Sequence, residues 1–281
     1  MILSMSNIAW APQERLDAYS AMAQAGFRGL EIAPGLFFHA SDDPFVPSET
    51  QAREALAEIA DQGLHLVSMQ SLLFGVDGAG LFDGEGARKA LVNGVTRAIN
   101  LAGRFGIANL VFGSPAQRRV PDGMAMEQAW DEAAQVFRAL GDTAASAGTT
   151  ITVEANPAAY GTNFLNTFSD ARRFIEMVDH PAIAAILDLG AMHMNGEFNA
   201  VAEALPDLSS SLNHVHVSEP ELAPAPADPE RLAPVLKGLT QHGYTKAVSI
   251  EMRRPDNGVQ GVRASIAALA EAARMGECTY A

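Results

Sequence analysis

Glu154, Asp188, His216 and Glu251 share a setting: each is a polar residue near the end of a short, apolar, β-branched run in the second half of the chain. Their separations are 34, 28 and 35 residues, each about one strand-plus-helix unit. Three carboxylates and one imidazole make a hard, mostly oxygen donor set. That set suits a divalent ion, Mn²⁺, Co²⁺, Mg²⁺ or Zn²⁺, rather than a structural zinc site. The period of two along a strand supports this. Thr152, Glu154 and Asn156 share one face, His214, His216 and Ser218 another, and Ser249 and Glu251 a third. A charge facing a barrel interior is costly unless it is paired or metal-bound. Taken alone, a strand-end acid reads as a cap and a strand histidine as a core residue. Matched parity and spacing on several strands favour a metal site. His214 lies one layer deeper than His216 and is expected to support it or fill the core.

The elements that must position these residues alternate strictly. Candidate strands are 2–8, 29–33, 64–70, 108–113, 150–156, 184–189, 212–218 and 247–252. Candidate helices are 12–25, 48–62, 86–105, 124–147, 167–179, 197–205, 229–242 and 258–275, each with apolar residues at helical spacing. Ser48, Thr167 and Asp228 are expected N-caps, and Gly63 a stop. Eight such units in 281 residues predict an α/β fold, a single (β/α)8 TIM barrel in one domain spanning 1–281. A doubly wound sheet would carry a Gly-rich phosphate loop after its first strand, and "SNIAWAP" has no glycine. Chemistry then belongs at the C-terminal strand ends. There the loops 34–47, 71–85 and 114–123 are long enough to close over a small ligand.

Bulk composition excludes several partners. The chain has 33 acidic and 19 basic residues, a net charge of −14. This argues against nucleic acid and anionic membrane. No apolar run approaches the roughly 20 residues of a bilayer span, and the N-terminus lacks the pattern of a signal peptide. With one cysteine, Cys278, no disulfide forms within the chain, which fits a reducing cytoplasm. The apolar helix faces of such barrels allow a homo-oligomer.

The stretches "TVEANP", "ILDLGAMHMNGE", "HVHVSE" and "VSIEM" resemble the xylose-isomerase-like TIM-barrel family of sugar isomerases and epimerases, over essentially the whole chain. Ketose 3-epimerases, hydroxypyruvate isomerases, inosose dehydratases and, more distantly, abasic-site endonucleases belong to it. The resemblance implies that Glu154, Asp188, His216 and Glu251 are metal ligands. It also implies that Glu154 and Glu251 exchange protons with the substrate carbon from opposite faces. Two positions depart from the epimerase pattern. Ala191 stands where a substrate-binding histidine follows the aspartate by three residues, and the nearest histidine is His193. Leu222 stands where an arginine follows the metal histidine by six.

The function expected is a divalent-metal-dependent isomerase or epimerase of a sugar, sugar phosphate or keto acid, working by proton transfer through a metal-stabilised enediolate. The alternatives are a dehydratase or lyase of the inosose or dehydroshikimate type, a metal-dependent endonuclease, and a non-catalytic sugar-binding barrel. Asn156, His193, Arg253 and Glu219 are expected substrate contacts. Arg118 and Arg119 read as a solvated charge pair in the loop after the fourth strand, with contact to an anionic substrate as the alternative.

Overall fold

A computed structural model describes residues 1–208 and 211–280. Its strands are β1 (Ile2–Ser6), β2 (Gly29–Ile32), β3 (His65–Met69), β4 (Asn109–Phe112), β5 (Thr150–Val153), β6 (Ile183–Asp188), β7 (Leu212–Val217) and β8 (Ala247–Ile250). They follow one another in chain order and close into a barrel, with β1 parallel to both β2 and β8. The helices are α1 (Arg15–Gln24), α2 (Pro34–Phe37), α3 (Glu49–Ala60), α4 (Glu85–Phe105), α5 (Met126–Ala147), α6 (Phe168–Val178), α7 (Leu189–Met194), α8 (Val201–Leu208), α9 (Pro229–Gln241) and α10 (Val259–Met275).

The expected alternation holds, with two additions and a trimming of the strands. The helices α2 and α7 have four and six residues, too few for an apolar period to show in sequence. β5 stops at Val153 and β8 at Ile250, so Glu154 and Glu251 come just after their strands. Their backbones stay anchored in the sheet: the Glu154 N–H donates to the Phe112 carbonyl at 3.1 Å and the Glu251 N–H to the Val217 carbonyl at 3.0 Å. The caps form where expected. Ser48 accepts from the Gln51 N–H, Thr167 from Asp170, and Asp228 from Glu230 and Arg231.

The described chain divides into two compact units. The first is Met1–Ser68 with Asp188–Ala281, and the second is Met69–Leu187. In the first unit, pleating separates two sets of side chains. Leu3, Met5, Leu30, Ile32, Val215, Val217, Val248 and Ile250 are all at most 1% exposed, each burial contributing about 1.5–3 kcal/mol. The alternate positions are polar and equally buried: Ser4 is in register with Ser249, Ser249 with His216, and Ser6 with Glu31.

The second unit is packed by aromatic rings. Phe112 on β4 meets Phe137 on α5 at 5.0 Å, Phe137 meets Phe174 on α6 at 5.2 Å, and Trp130 meets Phe164 at 5.7 Å, all edge to face. The loop 114–123 belongs to this unit and is clipped down. Leu81 N–H donates to the Gln117 carbonyl at 2.7 Å, and Val120 exchanges hydrogen bonds with the Asn163 amide at 2.8 and 3.0 Å. Among the described residues, no helix is long and apolar enough to cross a membrane.

Candidate metal centre

In the first unit, Asp188, His216 and Glu251 each offer a donor atom, all within 4.8 Å of one another. His216 is fully buried on β7, and the two carboxylate side chains are each 11% exposed. His216 Nδ1 faces Glu251 Oε2 at 3.2 Å and Asp188 Oδ2 at 3.5 Å. Two carboxylates converging on one imidazole nitrogen repel each other unless positive charge lies between or beside them. These donors fit a hard divalent cation.

The other edge of His216 explains its orientation. Nε2 lies 3.0 and 3.1 Å from the two oxygens of Glu31, a fully buried residue of β2. The proton of a neutral imidazole therefore sits on Nε2, and the Nδ1 lone pair faces Asp188 and Glu251. His214 Nε2 approaches the same carboxylate at 2.8 Å, its ring edge-on to that of His216. Burial alone would raise the Glu31 carboxyl, but the two imidazoles turned to it outweigh burial and hold the group well below the carboxylate range. Glu31, His214 and His216 also offer three donors within 4.8 Å. With all three fully buried and both imidazoles turned to one carboxylate, we read this cluster as the support of His216 rather than a second ion site.

Asp188 is positioned by the helix it starts. Oδ1 accepts from the Ala191 N–H at 2.6 Å and Oδ2 from the Ser218 hydroxyl at 3.0 Å. The Ser218 oxygen accepts in turn from the Gly190 N–H at 2.8 Å. The short helix α7 thus exists because Asp188 caps it, and capping leaves the carboxylate edge toward His216.

In the second unit, Glu154 is half-buried, and its Oε2 accepts from the Asn156 amide at 2.7 Å. Asn156 is 5% exposed, and its Oδ1 accepts from Arg118 Nη2 at 2.8 Å. The solvated pair expected at 118 and 119 is therefore half wrong. Arg119 is exposed, whereas Arg118 is 1% exposed, because the turn Pro115–Arg118 folds its side chain inward toward Asn156. Burial pushes the guanidinium down to about 10, against the opposing pull of Glu154, so it stays cationic at neutral pH.

The remaining expected contacts, His193, Glu219 and Arg253, belong to the first unit. His193 Nδ1 is 3.5 Å from Glu219 Oε2, and its Nε2 is 3.4 Å from Arg231. With Phe198 and Asp228, these three line a small cavity in the first unit. Glu219 Oε1 also accepts from the Ala227 N–H at 2.9 Å, which ties its carboxylate to its own loop. Arg253 is exposed, and its backbone N–H donates to the Leu222 carbonyl at 2.9 Å. Sequence reasoning missed Glu31, although its alternation with Leu30 and Ile32 is the same parity signal that marked His216.

No curated protein sequence matches the chain. Solved structures do. It is similar to the 3-keto-D-glucoside 4-epimerase YcjR from E. coli at 22% identity and TM-score 0.73, covering 95% of this chain and 98% of that one. It is similar to D-psicose 3-epimerase from Clostridium cellulolyticum H10, solved with D-tagatose, at 18% identity and TM-score 0.77, covering 99% and 100%. An L-ribulose 3-epimerase matches at 21% identity and TM-score 0.72, covering 98% and 92%. At these identities the likeness is one of fold. The family model described as xylose isomerase-like TIM barrel matches residues 19–272, and the chain belongs to that family.

Proposed function

We propose that this chain is a divalent-metal-dependent isomerase or epimerase of a sugar or sugar derivative, a single (β/α)8 domain with Glu154, Asp188, His216 and Glu251 as metal ligands. One observation carries the reading: Asp188 and Glu251 converge on the Nδ1 edge of an imidazole whose other edge is locked by Glu31. A bound divalent ion would supply positive charge to the carbonyl and hydroxyl oxygens of the substrate. Glu154 and Glu251 move the protons. One takes the hydrogen from the carbon beside the carbonyl, and the other returns one, to the opposite face for epimerisation or to the neighbouring carbon for isomerisation. Asn156, His193, Arg253 and Glu219 are the proposed contacts to sugar hydroxyls. The sugars named for the similar structures, a keto-glucoside, psicose and ribulose in the enzyme names and tagatose as the sugar solved with one of them, support a ketose or keto-sugar as the substrate class.

The test is solvent exchange. Chelator-treated protein is incubated in D₂O with D-psicose, D-tagatose and L-ribulose, with and without Mn²⁺. Deuterium should enter the carbon beside the carbonyl in the presence of Mn²⁺. Glu154→Gln and Glu251→Gln should each lower the rate by about 10²–10⁴-fold. Exchange that ignores the metal, or a fully active single variant, contradicts the assignment.

A further inference from the structure

We propose that Arg118 is a positioning residue for Glu154, acting through Asn156. The proposal rests on reading Glu154 as a ligand and proton-transfer group, and it adds a residue that neither the strand pattern nor the family match marks.

The connection is a two-step relay inside the second unit. Arg118 Nη2 donates to Asn156 Oδ1 at 2.8 Å, and Asn156 Nδ2 donates to Glu154 Oε2 at 2.7 Å. An asparagine amide has a donor end and an acceptor end, and its neighbours decide which way it points. Here a cation on one side and a carboxylate on the other leave one orientation. Reversed, the amide would aim its NH₂ at a guanidinium and its oxygen at a carboxylate. Arg118 thereby makes Asn156 a donor to Glu154, engages Oε2, and fixes the carboxylate's rotation.

A structural explanation of Arg118 is weaker. The loop that carries it is already held by Leu81, Val120 and Asn163 through backbone and amide hydrogen bonds. The guanidinium itself is 1% exposed, and its Nε and Nη1 find no hydrogen-bond acceptor among the described residues. A buried cation with one neutral hydrogen-bond partner is an expensive way to pin a loop. The surroundings are shaped to the relay as well. Ser114, which starts the Arg118 turn, is left-handed at φ 44°, a conformation uncommon outside glycine. A Cβ on residue 113 would collide with Glu154 Oε2 and sit 3.6 Å from Asn156 Oδ1, so Gly113 leaves room for the carboxylate and amide together.

The experiment is a double-mutant cycle on the full chain, read as Mn²⁺ affinity by titration of chelator-treated protein. Arg118→Met and Asn156→Ala should each weaken Mn²⁺ binding by about 10–100-fold, the range for residues that orient a ligand. The double variant should be no more than about twofold worse than Asn156→Ala alone, because the two act in series. Arg118→Lys keeps a donor and a charge and should recover affinity to within about threefold of the parent, short of full rescue because it lacks the planar fork. Multiplying losses in the double variant, or a lysine variant as weak as the methionine one, overturns the proposal and leaves the metal reading intact. A parent protein that binds no Mn²⁺, or Glu154→Gln with unchanged affinity, overturns the metal reading and this proposal together.

Discussion

Two buried charges of opposite sign stand behind two proposed metal ligands, one in each unit. In the first, Glu31 sits behind His216 and accepts from two imidazoles. In the second, Arg118 sits behind Glu154 with an asparagine between them. A carboxylate behind an imidazole fixes its tautomer and strengthens the opposite lone pair as a donor. A cation behind a carboxylate cannot strengthen it as a donor; through Asn156 it holds the carboxylate's position. The sign of the supporting charge follows from the donor type. The two supports also differ in their own satisfaction. Glu31 has two ring nitrogens against its two oxygens, while Arg118 has one neutral amide. The first support should therefore stabilise its unit, and the second should not.

Glu31→Gln is expected to give the largest loss of stability, about 1–3 kcal/mol in urea, since it removes a buried acceptor shared by two imidazoles. Because the Glu31 carboxyl is depressed in the folded state, its stabilisation is present above the ordinary carboxylate range and is lost as pH falls below that range. The difference between parent and variant should accordingly narrow in acid. Arg118→Met comes next and should behave oppositely. Its stability should stay within about 1 kcal/mol of the parent, or rise, because it exchanges a poorly satisfied buried cation for an apolar side chain. Equal destabilisation by the two substitutions would erase the distinction between the units.

The smallest effect belongs to an ion pair outside both supports, a baseline for what exposed charge contributes. Glu14 is held at about 2, first by its hydrogen bond to Arg254 and then by the Ala11 N–H. A depressed carboxyl of this kind stabilises above its ordinary 4.5 and loses that contribution as pH falls toward 2. Solvent screens the pair. Melts of Glu14→Gln and the parent should differ slightly at pH 7 and coincide near pH 2.

How much of this was legible in the sequence depended on regularity. The barrel and three caps were readable because period and cap chemistry are local. Asp188, His216 and Glu251 were readable because strand parity and unit spacing mark inward positions. Glu31 obeys the same parity but precedes the late strands by more than a hundred residues, so no unit spacing ties it to them. Arg118 had no signal of that kind. Its burial follows from a single turn of 3₁₀ helix with Ser114 left-handed at its start, and no periodicity reports the direction of a loop side chain. His193 and Glu219 follow Asp188 and His216 closely in sequence, and proximity of that kind does not give the direction of a side chain. The contacts of His193 with Glu219 and with Arg231 depend on the short helix α7, which carries His193 and has too few residues to show an apolar period.

The most direct measurement is the Mn²⁺ stoichiometry of chelator-treated protein, by electron paramagnetic resonance, for the parent and for Glu154→Gln, Asp188→Asn, His216→Ala and Glu251→Gln. Four ligands to one ion require about one tightly bound Mn²⁺ per chain and a marked loss of affinity in every variant. No binding by the parent, or parent-like binding by any of the four, contradicts the assignment of these residues to a single metal centre.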